Sequence, residues 1–163
     1  MSMKNEPGLG ELLRYVSELV EYGAEEHYNQ MQINYRARYT PVLRALRSGA
    51  QTVTEITACT HLTQGAISQT LGHMEADGII SRQRGDDGRK TVIHLTVHGE
   101  ELLLKLDQHW EATFATIEQL EHEVGHPIRQ VLLDTARLLE QRGFSQRLSD
   151  LKRAMTAGVT ADE

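Results

Sequence analysis

The 163-residue sequence predicts a mainly α-helical protein that contains one small β-hairpin. Apolar residues recur at intervals of three and four along most of the chain, which is the periodicity of helices packed on one face. Two short segments near the middle each begin with a helix-capping residue. Two β-prone segments follow them directly and flank the turn-forming residues 85–88. Together these features predict a winged helix-turn-helix between helical flanks.

The N-terminal segment is predicted to be an amphipathic helix that runs to about Tyr28. Its apolar residues follow helical spacing: Leu9, Leu12, Leu13, Val16, Leu19 and Val20. Charged residues between positions 4 and 14 argue against a secretory signal, and no apolar run is long enough to cross a bilayer. With a single cysteine in the chain, these observations favour a cytoplasmic protein without disulfides.

The central helices are predicted from their capping residues. Thr40 is expected to cap a short helix with Pro41 at its first position. Thr52 and Glu55 read as a capping box at the start of the next helix. Thr63 is expected to cap the helix after that, which ends near residue 78. A linker of three residues between the last two helices predicts the sharp crossing of a helix-turn-helix.

The segments 79–84 and 90–95 are predicted to pair as a hairpin, the wing, because the residues between them are strong turn formers. A long helix should start at Thr96, with an apolar seam of average spacing 3.5 that calls for a partner helix: Leu103, Leu106, Trp110, Phe114, Ile117, Leu120 and Val124. Two more helices are expected after Pro127. The predicted division is residues 1–37 for N-terminal dimerisation, 38–97 for the winged helix-turn-helix and 98–163 for C-terminal dimerisation, all within one integrated protomer.

Residues 40–104 resemble the MarR family of bacterial winged-helix regulators. The resemblance rests on five features in order: Thr40-Pro41, the capped helix pair, the segment MEADGIISR at 74–82, Asp87-Gly88-Arg89, and LTVHG at 95–99. It implies a homodimer in which the N- and C-terminal helices intertwine and hold two DNA-binding lobes apart. The expected function is sequence-specific binding of double-stranded DNA, most often as a repressor on near-palindromic operators.

The second helix of the pair is the predicted recognition helix, because its outer side chains are small or polar and suit the major groove. The residues expected to contact DNA from it are Thr63, Gln64, Gly65, Ser68, Gln69 and His73. A solvated helix face is the alternative interpretation of the same pattern.

The wing is expected to supply cations that contact DNA, assisted by one aspartate: Arg82, Arg84, Asp87, Arg89 and Lys90. The resemblance implies that Arg89 enters the minor groove, with Asp87 orienting its guanidinium. Residues 36–99 carry eight basic and five acidic side chains, a net charge of +3, although the whole chain carries −6. The centre is therefore basic and the flanks are acidic, as expected if only the centre meets phosphate.

A small-molecule effector is expected by resemblance to the family, in a cleft between the dimer helices and the DNA-binding lobe. Aromatic or basic residues that could line it are Tyr28, Tyr35, Arg36, Tyr39 and Trp110. The same residues suit packing in the core or at an interface, and for Trp110 packing is favoured.

Neither a metal site nor a cofactor is expected. Cys59 is predicted to be buried and structural rather than a redox sensor. His122 and His126 are four residues apart, but Gly125 and Pro127 break the helix that would align them. No catalytic motif is present in the sequence, so an enzyme is not expected. The alternatives left open are a winged-helix adaptor that acts through protein contacts and a metal- or redox-sensing regulator.

Overall fold

The computed structural model describes residues 6–86, 88 and 90–160. The chain divides into two compact units, Met1–Asp107 and Gln108–Glu163, and the boundary falls within a long helix. In chain order the elements are α1 (Leu9–Gln30), a 3-10 turn (Ala37–Tyr39), α2 (Thr40–Arg47), α3 (Val53–Cys59), α4 (Gln64–Ala76), β1 (Ile80–Arg84), β2 (Thr91–Leu95), α5 (Val97–Val124), α6 (Ile128–Gln141) and α7 (Phe144–Thr160). The predicted mainly helical fold with one hairpin is confirmed.

The first unit has one apolar core, built around the helix-turn-helix. Its fully buried side chains come from α2, α3, α4, α5 and the residues next to the hairpin: Val42, Leu43, Ile56, Ile67, Leu71, Met74, Ile79 and Leu106. Because the buried residues of α4 all lie on one side, the opposite side of that helix is left to solvent.

Two of the three predicted caps are confirmed. The hydroxyl oxygen of Thr52 accepts from the backbone N–H of Glu55 at 3.2 Å, and that of Thr63 accepts from Ala66 at 3.1 Å. The Glu55 carboxylate accepts from the N–H of Gln51, one residue earlier than a standard capping box would place it.

The predicted cap at Thr40 is wrong. The 3-10 turn runs directly into α2, so Tyr39 occupies the N-cap position in a helical conformation and no side chain caps the helix. The hydroxyl of Thr40 instead lies 2.9 Å from the phenol oxygen of Tyr35, within hydrogen-bond distance. Pro41 was predicted at the first helical position, but it lies at the second, because α2 begins one residue earlier at Thr40.

The predicted burial of Cys59 is also wrong, because the residue is exposed. It is the last residue of α3, a helix of only seven residues, and Ile56 is the one residue of that helix that is fully buried against the core. The last turn of α3 is therefore left at the surface.

The hairpin is antiparallel, with Ile80 opposite Leu95 and Arg84 opposite Thr91. It is joined to the helical part of the unit, since the N–H of Ile93 donates to the carbonyl of Gln51 at 2.8 Å. This bond fixes the base of the wing beside the start of α3.

The second unit contains the end of α5 with α6 and α7. The predicted break near residue 125 is confirmed, because Gly125 adopts a left-handed φ of +79°. Across this turn, the backbone N–H of Arg129 donates to Oε1 of Glu121 at 2.8 Å and its guanidinium donates to both carboxylate oxygens at 3.2 Å. The side-chain hydrogen bond from Arg129 holds the pKa of Glu121 below its ordinary value.

Both units carry exposed apolar side chains. On α1 they form one stripe of Leu9, Leu12, Leu13, Val16, Leu19 and Val20. On α6 and α7 they are Val131, Leu132, Leu138, Leu139, Phe144, Leu148, Leu151 and Met155. None of the described helices combines the length and the apolar character that a membrane crossing requires.

Candidate nucleic-acid interface

Helix α4 separates an apolar side from a polar one. Ile67, Thr70, Leu71 and Met74 are buried. The predicted DNA-contacting residues Thr63, Gln64, Gly65, Ser68 and Gln69 are all exposed. Their side chains are short or carry amides, so the outer face of α4 offers hydrogen-bonding groups without bulk.

His73, the sixth residue predicted on this helix, lies apart from the others. It is half-buried, and within the described part of the chain its Nδ1 atom is enclosed without a hydrogen-bond partner. At 100° per residue, position 73 lies on the flank of the face that is centred on Gly65 and Ser68. His73 was predicted as a DNA-contacting residue because it is polar, although it lies between the exposed and the buried side of α4.

Two further residues lie exposed on the outer face, Gly72 and Glu75, and neither was among the residues predicted to contact DNA. They continue the stripe of Gly65 and Ser68, because positions 65, 68, 72 and 75 follow the i, i+3, i+4 spacing of one helix face. That spacing was visible in the sequence and could have identified them.

Of the predicted wing residues, Arg82 is tied to α4. Its Nε atom lies 2.7 Å from Oε2 of Glu75, forming an ion pair between strand β1 and the outer face of the helix. Nη2 of Arg82 lies 3.9 Å from where a Cβ at position 72 would be. The guanidinium therefore rests over Gly72, next to the predicted recognition residues.

The other described wing cations, Arg84 and Lys90, are exposed, and neither forms an ion pair with any residue that the structure describes. The backbone carbonyl of Lys90 accepts from the N–H of Gly85 at 2.6 Å, which closes the loop of the hairpin. Asp87 and Arg89, predicted at the tip, lie outside the described residues.

The residues predicted to line an effector cleft divide into two groups. Tyr28, Tyr35 and Tyr39 are brought together as a buried stack: the first two rings are 4.8 Å apart and the last two 5.7 Å, both edge to face. The phenol of Tyr39 donates to Oδ2 of Asp77 at 2.7 Å, which links the stack to the end of α4. Burial raises the pKa of all three phenols, most of all that of Tyr35.

Arg36 is exposed at the edge of this stack and lines a small polar depression of about 220 Å³ with Glu25, Asn29, Ile33, Asn34 and Tyr35. Trp110 belongs to the second unit and is 5% exposed, with no hydrogen-bond partner for its Nε1 atom in the described structure. Among the described residues, no three His, Cys, Asp or Glu side chains are grouped so that they could hold a metal ion.

The central residues 34–90 match the model of the MarR family. Over this segment the chain is similar to that family. The match spans the helix-turn-helix, most of the wing and two of the three stacked tyrosines, so the predicted resemblance is confirmed for the part of the chain that carries the candidate interface. Among curated proteins, none matches this chain.

Solved MarR-type structures show the same winged-helix fold over most of the chain. MOSR of Mycobacterium tuberculosis, solved in complex with DNA, is 19% identical with a TM-score of 0.63, and the match covers 83% of this chain and 96% of that one. MepR of Staphylococcus aureus, also in complex with DNA, is 21% identical with a TM-score of 0.59 and coverages of 83% and 99%. BpsR of Bordetella bronchiseptica, whose DNA binding is regulated by 6-hydroxynicotinic acid, is 17% identical with a TM-score of 0.58 and coverages of 88% and 97%.

Proposed function

We propose that this chain is a sequence-specific, double-stranded DNA-binding transcription regulator of the MarR family that acts as a homodimer. The observation that carries the proposal is the outer face of α4, whose small and amide side chains are exposed beside the cationic wing. Such a face fits the major groove, where bases present their hydrogen-bonding edges.

Gln64 and Gln69 are the side chains proposed to read bases, because a glutamine amide matches the N6 and N7 edge of adenine. Gly65 and Ser68 have little bulk, so the backbone of α4 can approach the base edges closely. Thr63, at the capped N-terminus, is placed to bond a phosphate with its hydroxyl and the nearby backbone amides.

The wing is proposed to contact the backbone and the adjacent minor groove. Arg84 and Lys90 are exposed cations on the two strands of the hairpin or next to them. Arg89 at the tip is proposed, from its position in the sequence, to enter the minor groove, where the negative potential is strongest over narrow A·T-rich stretches.

The homodimer is supported by the apolar side chains left exposed on α1, α6 and α7. A solvated monomer rarely keeps such extensive apolar surface in contact with water, and covering it by a second copy would remove that cost. A two-fold dimer places two recognition helices about one DNA turn apart, so the operator should be a near-palindrome with half-sites about 10 base pairs apart.

Repression by occlusion of a promoter, relieved by a small-molecule effector, is the proposed mode of action. The precedent for an effector is BpsR, whose DNA binding 6-hydroxynicotinic acid regulates. In this chain, the polar depression beside Arg36 and Tyr35 borders the tyrosine stack that contacts the end of α4. This polar depression is the proposed binding site of the effector.

The experiment that tests the function is selection of bound fragments from genomic DNA, followed by affinity measurements on the enriched site across a salt series. Enrichment of a near-palindrome, with an affinity that falls steeply as salt rises, is the expected result. If the protein retained all DNA fragments equally, or bound none of them, the result would instead favour an adaptor that uses the winged fold for protein contacts.

A further inference from the structure

We propose that Glu75 is a positioning residue for the DNA interface: it holds the Arg82 guanidinium on the outer face of α4, so that this arginine acts as part of the recognition helix. The inference rests on the proposed function and extends it to a residue on the helix and a residue on the wing that act as one group. No feature of the MarR match assigns this role.

Glu75 and Arg82 form an ion pair between α4 and strand β1. Glu75 is the last member of the outer stripe of α4, and its carboxylate lies 2.7 Å from Nε of Arg82 on strand β1. Arg82 is opposite Ile93, which is buried, so the backbone on both sides of the arginine is fixed by the hairpin. The ion pair therefore joins two rigid elements at a defined point.

Gly72 leaves space for the guanidinium of Arg82 on the outer face of α4. Nη2 of Arg82 would stand 3.9 Å from a Cβ at this position, which is ordinary contact. A longer side chain at position 72 would occupy the place where the guanidinium lies. Because Gly72 has no side chain, the guanidinium of Arg82 can lie against the outer face of the helix at this position.

The strength of this ion pair depends on how far it is exposed to water. The side chains of Arg82 and Glu75 are 35% and 49% exposed, so in the free protein the pair contributes little to stability. When DNA covers the outer face of α4, water is displaced and the same pair becomes stronger. A guanidinium held in place can then contact only a phosphate at one defined position. An unrestrained arginine could adjust its side chain to reach a phosphate on any DNA sequence.

Specificity, rather than affinity alone, is therefore the property that Glu75 should control. Phosphate contacts fix the register of the protein on the duplex, and register decides whether Gln64 and Gln69 meet the correct bases. Loss of the restraint on Arg82 should therefore reduce the difference between the affinity for the operator and the affinity for random DNA.

The test is a double-mutant cycle with Glu75→Gln, Arg82→Ala and the combined variant in the full-length protein. The readout is the ratio of affinities for the selected operator and for random duplex DNA of equal length. A uniform change in charge cancels in this ratio, and thermal unfolding of each variant checks that folding is intact. Glu101→Gln removes the same charge from an exposed position on α5 and is the matched control.

Each single variant should lower the ratio of operator affinity to random-DNA affinity about fivefold. The combined variant should lower it no further, because both single substitutions remove the same Glu75–Arg82 ion pair. Multiplicative effects, or an unchanged ratio in Glu75→Gln, would overturn the positioning role while leaving the proposed function intact. Failure of the wild-type protein to discriminate between any DNA sequences would instead remove the proposed function itself.

Discussion

At the scale of single residues, the junction between the wing and α5 depends on one glycine. Gly99 packs so closely on the carbonyl of Ile79 that a Cβ there would lie 2.2 Å from the oxygen and 3.2 Å from a methyl group of Leu95. Thr96 adds bonds at the same point, because its N–H donates to Ile79 at 3.0 Å and its hydroxyl oxygen accepts from the N–H of Gly99. The start of α5 is thereby fixed to the segment that follows α4.

Gly99→Ala should therefore lower the free energy of unfolding by about 1–3 kcal/mol, since the backbone must move to accept the methyl group. Gly23→Ala is the control, because Gly23 is also helical but has nothing within 4 Å of its added Cβ. It should be neutral or stabilising. Chemical denaturation of both variants measures the difference, and equal stabilities would contradict the tight junction.

The buried phenol of Tyr35 should make stability depend on pH in the alkaline range. Burial raises its pKa, so the folded protein holds the proton after the unfolded chain has begun to lose it near pH 10. The contribution of Tyr35 to the free energy of unfolding should be constant below about pH 10 and should fall as the pH rises further.

Tyr35→Phe should reduce that alkaline loss, measured by urea denaturation between pH 8 and pH 11. Tyr22 is 69% exposed, so Tyr22→Phe is the matched control and should leave the alkaline loss of stability as it is in the wild type. An alkaline loss of equal size in all three proteins would exclude Tyr35 as its source.

At the scale of elements, α4 and the wing are linked to form one surface. The helix exposes its polar stripe because its apolar side seats it on the core, and Arg82 connects that stripe to strand β1. The base of the hairpin is held by the bond between Ile93 and Gln51. Arg84 and Lys90 thus extend from a fixed support beside the helix.

Replacing Arg84 or Lys90 with alanine should weaken DNA binding and reduce the salt dependence by about one unit of slope for each phosphate that the protein no longer neutralises. The same result is predicted for Arg89→Ala. Lys105→Ala removes a cation from an exposed position on α5 and should change neither quantity. If the wing variants keep the wild-type slope, the wing does not contact phosphate.

At the scale of the whole molecule, many apolar side chains of α1, α6 and α7 are exposed to solvent. Helix α6 has no buried residue at all, although its apolar side chains follow helical spacing. A hydrophobic pattern of this kind predicts a contact partner, and the proposed homodimer supplies one.

Leu132→Glu on α6 should therefore dissociate the dimer, because it would place a charge in an apolar interface, and operator affinity should fall with dimer concentration. Gln141→Glu adds the same charge at an exposed polar position of that helix and should leave the dimer intact. Sedimentation at several concentrations measures the assembly. Truncation before Ile128 should have the same effect as Leu132→Glu, and a monomeric truncated protein with full operator affinity would contradict the dimer.

Local signals allowed most of the fold to be predicted. Thr52 and Thr63 could be recognised as caps because a cap bonds an amide three residues away, so the sequence holds both partners. Thr40 failed as a cap because the preceding 3-10 turn already supplies a helical residue at that point. The predicted burial of Cys59 was wrong for a different reason, since burial depends on what the rest of the chain brings alongside. His73 is half-buried, and its contact with DNA stays a prediction.

The sequence by itself determined the order of the helices and the hairpin, the capping of α4, and the polar character of its outer face, because periodicity and capping act over a few residues. Only the tertiary structure decided that Arg82 lies over Gly72 in contact with Glu75, that the tyrosines stack, and that Gly99 touches Ile79. These contacts join elements whose relative placement is set by packing of the shared core, and no local pattern in the chain encodes that placement.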